Sequence, residues 1–372
     1  MPALSRNDTS VVGRWWWTVD KLTLFALLAL MAAGMVLTMA ASPSVAVRLN
    51  LNPQYFVLRH AVVLPFAALA MIVISTLPLK AIRVLALGVF MISLAMMAMT
   101  LAVGSEVKGA SRWIYLGGLS IQPSEFIKPS FAVLAAWLLA PRPHDKEIPG
   151  AAISTLLFTV VVGMLVAQPD IGQAGVVTAV WLSQWFLAGL SVAWIGASAL
   201  MGGMSLIAAY FTFPHVAIRI DRFIDPTANT GYQIERAMQA FMAGGLLGQG
   251  PGEGIIKASI PDAHADFIMA VAAEEFGLIA TLGIVALFAF IVLRGFSRLF
   301  SEHNVFVTLA GFGLLVQFGL QALINMGSEL NLIPTKGMTL PFLSYGGSSM
   351  LAMALGMGML LALTRRRPGE VE

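Results

Sequence analysis

The chain has 372 residues, 58% of them hydrophobic and only 11% charged, with a mean hydropathy of +0.84, whereas a soluble domain carries about 25% charged residues. It contains no cysteine, which excludes disulfides, thiolate metal sites and cysteine nucleophiles. In so apolar a chain the net charge of +3 and the isoelectric point near 9.3 bear on membrane topology and do not mark a nucleic-acid partner.

Apolar runs of the length that spans a bilayer as a helix follow one another at 22–41, 55–76, 82–103, 123–140, 150–167, 171–187, 190–213, 266–293, 305–327 and 346–364. Runs this long describe helices, because barrel strands alternate over about 10 residues. The shortest, 171–187, only just crosses a core of about 30 Å at about 1.5 Å per residue. Arg6, Arg14 and Trp15 to Trp17 precede the first run without a small-residue cleavage site, so the start of the chain reads as a retained anchor and not as a signal peptide. With the N-terminus in the cytoplasm, Lys80, Arg83, Arg142, Lys146, Arg294, Arg298 and Arg365 to Arg367 fall on that same side, as the positive-inside rule requires. The expectation is an all-α integral membrane protein, a bundle of ten transmembrane helices, with a cytoplasmic segment 1–21, a membrane domain 22–364 and a basic cytoplasmic tail 365–372.

The longest connection, an extracytoplasmic loop at 214–265 between spans seven and eight, is the first place to expect function, since long loops in compact proteins usually carry it. Ile234, Met238, Phe241 and Met242 recur there at helical spacing against Gln233, Glu235, Arg236 and Gln239, the pattern of an amphipathic helix at a membrane surface. Gly244, Gly245, Gly248, Gly250, Gly252 and Gly254 then predict a flexible passage back to the eighth span. The run lacks Gly-Lys-Ser/Thr and a preceding strand, which excludes a nucleotide-binding loop. Ser344 to Ser348, with Gly346 and Gly347, has no credible base for a serine nucleophile and reads as a chain break before the tenth span.

Ionisable side chains facing lipid are costly, so those inside spans must face protein or a water-filled cavity. Arg59 and His60, Glu125 and Lys128, Gln173, and the pair Glu274 and Glu275 beyond Asp266 all fall in the outer half of their spans. Gln317, Gln321 and Asn325 form an i, i+4, i+8 stripe on one helix face. One reading is polar glue between helices, with Glu125 and Lys128 as an i, i+3 ion pair. The other is chemistry at the external face, favoured because chiefly Gln184 and Arg83 are comparable on the inner side, whereas a transporter would bind near the midplane.

Three longer stretches stand out: Gly109-Ala-Ser-Arg-Trp-Ile-Tyr-Leu-Gly117 with Gln122-Pro-Ser-Glu-Phe-Ile-Lys128; Pro261-Asp-Ala-His-Ala-Asp-Phe267 with Glu274-Glu-Phe-Gly277; and Pro334-Thr-Lys-Gly-Met-Thr-Leu-Pro-Phe-Leu-Ser-Tyr-Gly-Gly-Ser348. With Gln168-Pro-Asp-Ile-Gly172, and in this order, they resemble the signatures of the SEDS family of cell-wall polymerases, the FtsW, RodA and SpoVE group. The resemblance covers nearly the whole chain, including ten spans and the long loop before the eighth. Pro334-Thr-Lys-Gly337 and Trp15 to Trp17 are closer to the division branch than to the elongation branch. Two departures are His264-Ala265-Asp266, where the family commonly has His-Thr-Asp, and Pro261-Asp262, where Pro-Glu is common.

The resemblance implies inverting glycosyl transfer from an undecaprenyl-diphosphate-linked strand to the 4-hydroxyl of lipid II. It places that reaction at the outer leaflet of the bacterial inner membrane during septal cell-wall synthesis, beside a class B penicillin-binding protein, the transpeptidase, and other divisome proteins. The family aspartate falls on Asp266, the expected general base. Such chemistry also needs positive charge against the departing diphosphate. Arg219, Arg222 and Lys257 in the loop are candidates, with Lys128 and Arg59 deeper, although Arg219 and Arg222 fit solvated pairs with Asp221 or Asp225 equally well. Glu125, Trp113, Gln122, Gln321, Asn325, Ser344 and Tyr345 complete the expected substrate-binding set. No cofactor is assigned; a divalent cation, Mg²⁺ or Mn²⁺, would suit a diphosphate, but its ligands are not identified. His264 and Asp266, two residues apart, are a weak metal pair, and His264 reads better as a cap at the start of the helix. A lipid II flippase and a noncatalytic scaffold for the transpeptidase are the alternative functions.

Overall fold

The computed structural model describes residues 10–103, 112–116, 119–141, 149–189, 191–224, 232–334 and 337–366. Of the residues singled out above, Arg6, Gly109 to Ser111, Gly117, Arg142, Lys146, Asp225, Thr335, Lys336 and Arg367 lie outside them. After a short lead-in helix α1 (Val11–Thr18), the long helices are α2 (Lys21–Arg48), α3 (Tyr55–Ser75), α4 (Leu79–Val103), α5 (Pro123–Leu139), α6 (Gly150–Ala167), α7 (Ile171–Leu187) and α8 (Val192–Thr212). The loop carries α9 (Pro214–Ile224) and α10 (Tyr232–Gly244), and α11 (Ile268–Leu299), α12 (Val305–Glu329) and α13 (Gly347–Leu363) complete the bundle. Each apolar run is thus a helix within a few residues of its expected ends. Six of them, α2, α3, α4, α6, α11 and α12, are long and apolar enough to cross a membrane on length and composition, so this is a multi-pass helical membrane protein. The all-α expectation needs one addition, a small antiparallel hairpin of β1 (Ile114–Leu116) and β2 (Leu119–Ile121) ahead of α5.

A helix that is apolar all round is buried in protein or in lipid, and exposure separates the two cases here. α13 is buried along its whole length and α5 along most of it, whereas α3, α4 and α6 turn Phe66, Val84 and Leu156 outward. α13 packs on α3 and α5, and α12 on α5, α7 and α11, so these central helices carry the interior and α8 stands at the periphery against α7 and α9. At one end of the bundle Asp20 accepts two hydrogen bonds of 2.8 Å from Arg294 and lies 3.1 Å from Arg298. Trp15 donates its indole N–H to Ser75 at 2.8 Å, and the Arg366 amide donates to the Thr18 carbonyl at 3.1 Å, which ties α1 to the end of α3 and to the segment after α13.

The long loop corrects one expectation. The amphipathic helix exists as α10; it buries Ala237, Ala240 and Gly244 against α11 and turns Met238 and Met242 of its expected apolar face outward. The glycine run is not a flexible passage; it is a close-packed seam. α11 is interrupted at Gly277, whose φ is 77°, and there Leu278 and Ile279 donate to the carbonyls of Gly245 and Leu246 at 3.0 and 3.3 Å, in place of the preceding helical turn. A Cβ on Gly277 would collide with the Gly248 nitrogen and the Leu246 carbonyl, and one on Gly248 would collide with the Glu275 carbonyl. Gly244, Gly248 and Gly277 are there because two backbones touch, whereas Gly245, Gly250 and Gly252 supply the positive φ of the turns between them.

Candidate functional site

Asp266 sits two residues before α11, where the chain leaves the loop for the bundle; the expected span began on it, but the helix itself starts at Ile268. Its amide donates to Asp262 at 3.0 Å. Its carbonyl accepts from Asn325 Nδ2 at 3.3 Å, and the same nitrogen donates to the Met338 carbonyl at 2.7 Å. Asn325 therefore holds the second motif against the third. A second tie joins them, the Tyr345 amide to the His264 carbonyl at 2.8 Å. Ser348 fastens the first motif to the third, donating to the Ser120 carbonyl at 3.0 Å and accepting from the Gln122 amide at 3.1 Å. Segments far apart in sequence are thus joined largely through main-chain groups.

Their side chains line a cavity of about 360 Å³ walled by Arg59, His60, Trp113, Gln122, Glu125, Asp262, His264, Asp266, Gly337, Thr339, Tyr345 and Ser348. Six expected site residues, Arg59, Trp113, Gln122, Glu125, Asp266 and Tyr345, meet on this chamber. Three others stand behind its wall. Lys128 donates to Glu125 at 2.8 Å and to Gln321 Oε1 at 2.9 Å, Gln321 donates on to the Thr339 carbonyl at 3.2 Å, and Asn325 pins Asp266 as described. Gln173 donates to the other Glu125 oxygen. The expected ion pair of Glu125 and Lys128 is present and buried, which makes it costly to break from one side. Asp170, at the start of α7, lies 3.5 Å from both Arg112 and Gln122; burial pushes its carboxyl above the usual range, while Arg112 draws it back.

His264 does not cap a helix. Its ring packs 4.6 Å from Phe56 and 5.1 Å from Tyr345, and burial drives its pKa down to about 4 against the pull of Asp262. The neutral imidazole belongs to an aromatic wall with His60, 6.1 Å from Tyr345, and burial raises the Tyr345 phenol. The cap on α11 is Glu329, a residue the sequence reading missed. Fully buried, it accepts from the amides of Met269 and Ala270 at 3.4 and 2.9 Å, which satisfies two donors of the helix's first turn. Glu329 extends the stripe of Gln317, Gln321 and Asn325 by one more step of four, so the same periodicity reaches it; ending the ninth span at 327 cut it off.

The remaining candidates lie elsewhere. Lys257 is in a 3₁₀ turn (Ile256–Ser259), paired with Glu275, while Glu274 accepts from the amides of Ile256 and Lys257 at 2.7 Å each. Burial lowers the Lys257 pKa, with Glu274 and Glu253 opposing it. These carboxylates stitch the loop onto α11 and do not line the chamber, so the polar groups near the start of α11 divide into two sets. Ser344 accepts from the Leu340 amide at 2.9 Å and shapes the turn before α13. Arg219 and Arg222 fall on α9, but their side chains lie outside the described structure; Asp221 beside them accepts from Tyr210 at 2.9 Å. Among the described residues no three His, Asp or Glu side chains converge as a metal site.

The family model described as "Cell cycle protein", that of FtsW, RodA and SpoVE, matches residues 20–368. A Caulobacter vibrioides protein named "Probable peptidoglycan glycosyltransferase FtsW" is 43% identical over 371 residues, 99% of this chain and 94% of that one. A Coxiella burnetii protein of the same name is 33% identical over 359 residues, 93% and 96% of the two chains. A chain from a solved structure described as "Structural coordination of polymerization and crosslinking by a peptidoglycan synthase complex" matches with a TM-score of 0.78 at 28% identity, over 94% of this chain and 98% of that one. The rod shape determining protein RodA of Thermus thermophilus matches with a TM-score of 0.67 at 27% identity, over 94% and 97%. On a family match across almost its full length and a relative 43% identical over 99% of it, the chain belongs to the FtsW, RodA and SpoVE family.

Proposed function

We propose that the chain is a peptidoglycan glycosyltransferase of the FtsW type, polymerising lipid II at the outer leaflet of a bacterial inner membrane during division, with Asp266 as general base. The observation that carries this reading is the position of Asp266 on a chamber walled by all three motif segments. In this reading all ten long helices cross the bilayer, with both chain ends cytoplasmic, so that the clamp of Asp20, Arg294 and Arg298 lies on the inner side and the chamber on the outer. The names of the Caulobacter and Coxiella relatives support the activity. The synthase complex, described by polymerisation and crosslinking together, supports a transpeptidase partner, which we take to be a class B penicillin-binding protein.

The chemistry asks little of the chain beyond placement. The acceptor 4-hydroxyl oxygen bonds to the donor's anomeric carbon as its proton passes to the Asp266 carboxylate. The bond from that carbon to the diphosphate oxygen breaks, and the electron pair leaves with the diphosphate. Arg59, on the chamber wall and hydrogen-bonded to the Tyr55 hydroxyl at 2.9 Å, is the cation we assign to the leaving group, and Arg219 and Arg222 remain candidates. The start of α11 lies where a lipid headgroup reaches the chamber with its tail still in the bilayer.

A flippase would need a polar path to the opposite end. Gln184 on the inner side is instead occupied by the Ala132 and Leu309 carbonyls, at 2.7 and 3.1 Å. Polymerisation of lipid II by the purified chain with its transpeptidase, resolved as glycan strands on a gel, tests the proposal. Asp266→Asn keeps the shape of the side chain and is expected to lose at least about 100-fold in rate, the low end for a positioned base. Wild-type polymerisation by that variant, or flipping without polymerisation, sinks the reading.

A further inference from the structure

A second cavity, of about 810 Å³, opens at the opposite end of α11 from Asp266, and nothing in the proposed reaction uses it. Arg294 and Arg298 of α11 line it together with Arg365 and Arg366 from the end of α13, and Phe290 and Leu293 form an apolar side of the same wall. We propose that it binds the phosphate headgroup of an anionic phospholipid from the leaflet at that end, with the acyl chains against Phe290 and Leu293.

Charge is the first argument. Of the carboxylates nearby, Asp20 is engaged by Arg294 and Arg298, and Glu302 accepts from the amides of His303 and Asn304 at 3.1 Å. Among the described residues, Arg294, Arg298 and Arg366 stand against these two carboxylates, an excess of one positive charge that a phosphodiester would neutralise. Guanidinium forks suit phosphate oxygens, and basic pockets between transmembrane helices are where anionic headgroups are held. Exposure is the second argument. Phe290 is 40% exposed and Leu293 68% exposed beside the arginines. A lipid fills both halves of this wall, whereas a free phosphate leaves the apolar half unused.

The test uses the full chain in neutral detergent, with its thermal midpoint followed as dioleoylphosphatidylglycerol, dioleoylphosphatidylcholine or inorganic phosphate is added. Phosphatidylglycerol is expected to raise Tm saturably and the other two to leave it unchanged. Arg366→Gln removes one charge, and Ser297→Glu adds an opposing one at an exposed cavity position; each is expected to weaken the phosphatidylglycerol response about five-fold, as one charge near a membrane surface does. Because the variants lie on different elements, and their lipid-free Tm reports folding, one misfolded variant does not spoil the test. No shift with phosphatidylglycerol, an equal shift with phosphatidylcholine or with phosphate, or an undiminished response in both variants overturns the proposal.

Discussion

Asn325 and Glu329, one helical turn apart, hold the two sides of Asp266. Asn325 binds its carbonyl and Glu329 the first amides of the helix that follows. Glu329→Ala leaves two buried amides without acceptors, at about 1–3 kcal/mol each. Glu329→Gln keeps one acceptor oxygen and replaces the other, so it leaves one of the two amides without its acceptor. The expected order of both Tm and polymerisation rate is wild type, then Gln, then Ala; a Gln variant no better than Ala in either measurement contradicts the capping role. His264 sets a pH dependence of its own. Its pKa falls from 6.5 to about 4 on burial, so the neutral ring is the stabilising form. That contribution is complete above pH 6.5 and is lost as pH falls toward 4, up to about 3 kcal/mol at about 1.36 kcal/mol per unit. Tm measured from pH 7.5 to 4.5 should fall less steeply in His264→Gln than in wild type, and parallel profiles would refute the assignment.

At the scale of elements, α11 shows what the sequence could and could not tell. Its apolar run announced a helix, as the other nine runs did, because a bilayer imposes a length that composition reveals directly. The break at Gly277 was not legible, since a glycine serving a close approach looks the same in sequence as one serving freedom. Only the contact with Gly248 and Leu246 on another segment decides between them. The same cause misdirected two side-chain readings: Lys257 was separated from Glu275, its partner on α11, and His264 from Phe56 and Tyr345 on distant segments. The hairpin ahead of α5 was missed for another reason, since three residues per strand have no period to read. Asp266, Trp113, Gln122 and Tyr345 were found through their resemblance to a family, whereas Arg59, His60 and Glu125 were also marked by their depth in apolar spans. The seam gives a sharp comparison. Gly277→Ala meets both a positive φ and a backbone collision, whereas Gly283→Ala, in the same helix, meets nothing within 4 Å. Gly283→Ala should be neutral or stabilising by up to about 1 kcal/mol, and Gly277→Ala should lower Tm markedly and impair polymerisation, because the seam anchors the loop that leads to Asp266. Equal Tm values for the two variants would rule out the close-packed seam.

On the scale of the whole molecule, α11 joins two charged regions with different duties, the chamber at its start and the arginine clamp on Asp20 at its end, about 45 Å apart at about 1.5 Å per residue. Burial by itself would raise the Asp20 carboxyl, but the bonds from Arg294 and Thr23 and the charge of Arg298 outweigh it and lower its pKa. The clamp is therefore complete at any pH above the ordinary aspartate value of 3.8 and is lost only as pH falls through the lower folded value. The clamp thus contributes no acid sensitivity between pH 6.5 and 5, a window in which His264 does contribute. Asp20→Asn leaves two arginines without their carboxylate and should cost about 1–3 kcal/mol, read as a lower Tm across the whole neutral range. Sites so far apart without shared partners act additively, so below its Tm this variant should polymerise lipid II at the wild-type rate, while Asp266→Asn should keep its Tm and lose the reaction. A slowed Asp20→Asn enzyme at temperatures where it is fully folded would mean that the break at Gly277 transmits strain along α11 and that the two ends are mechanically coupled.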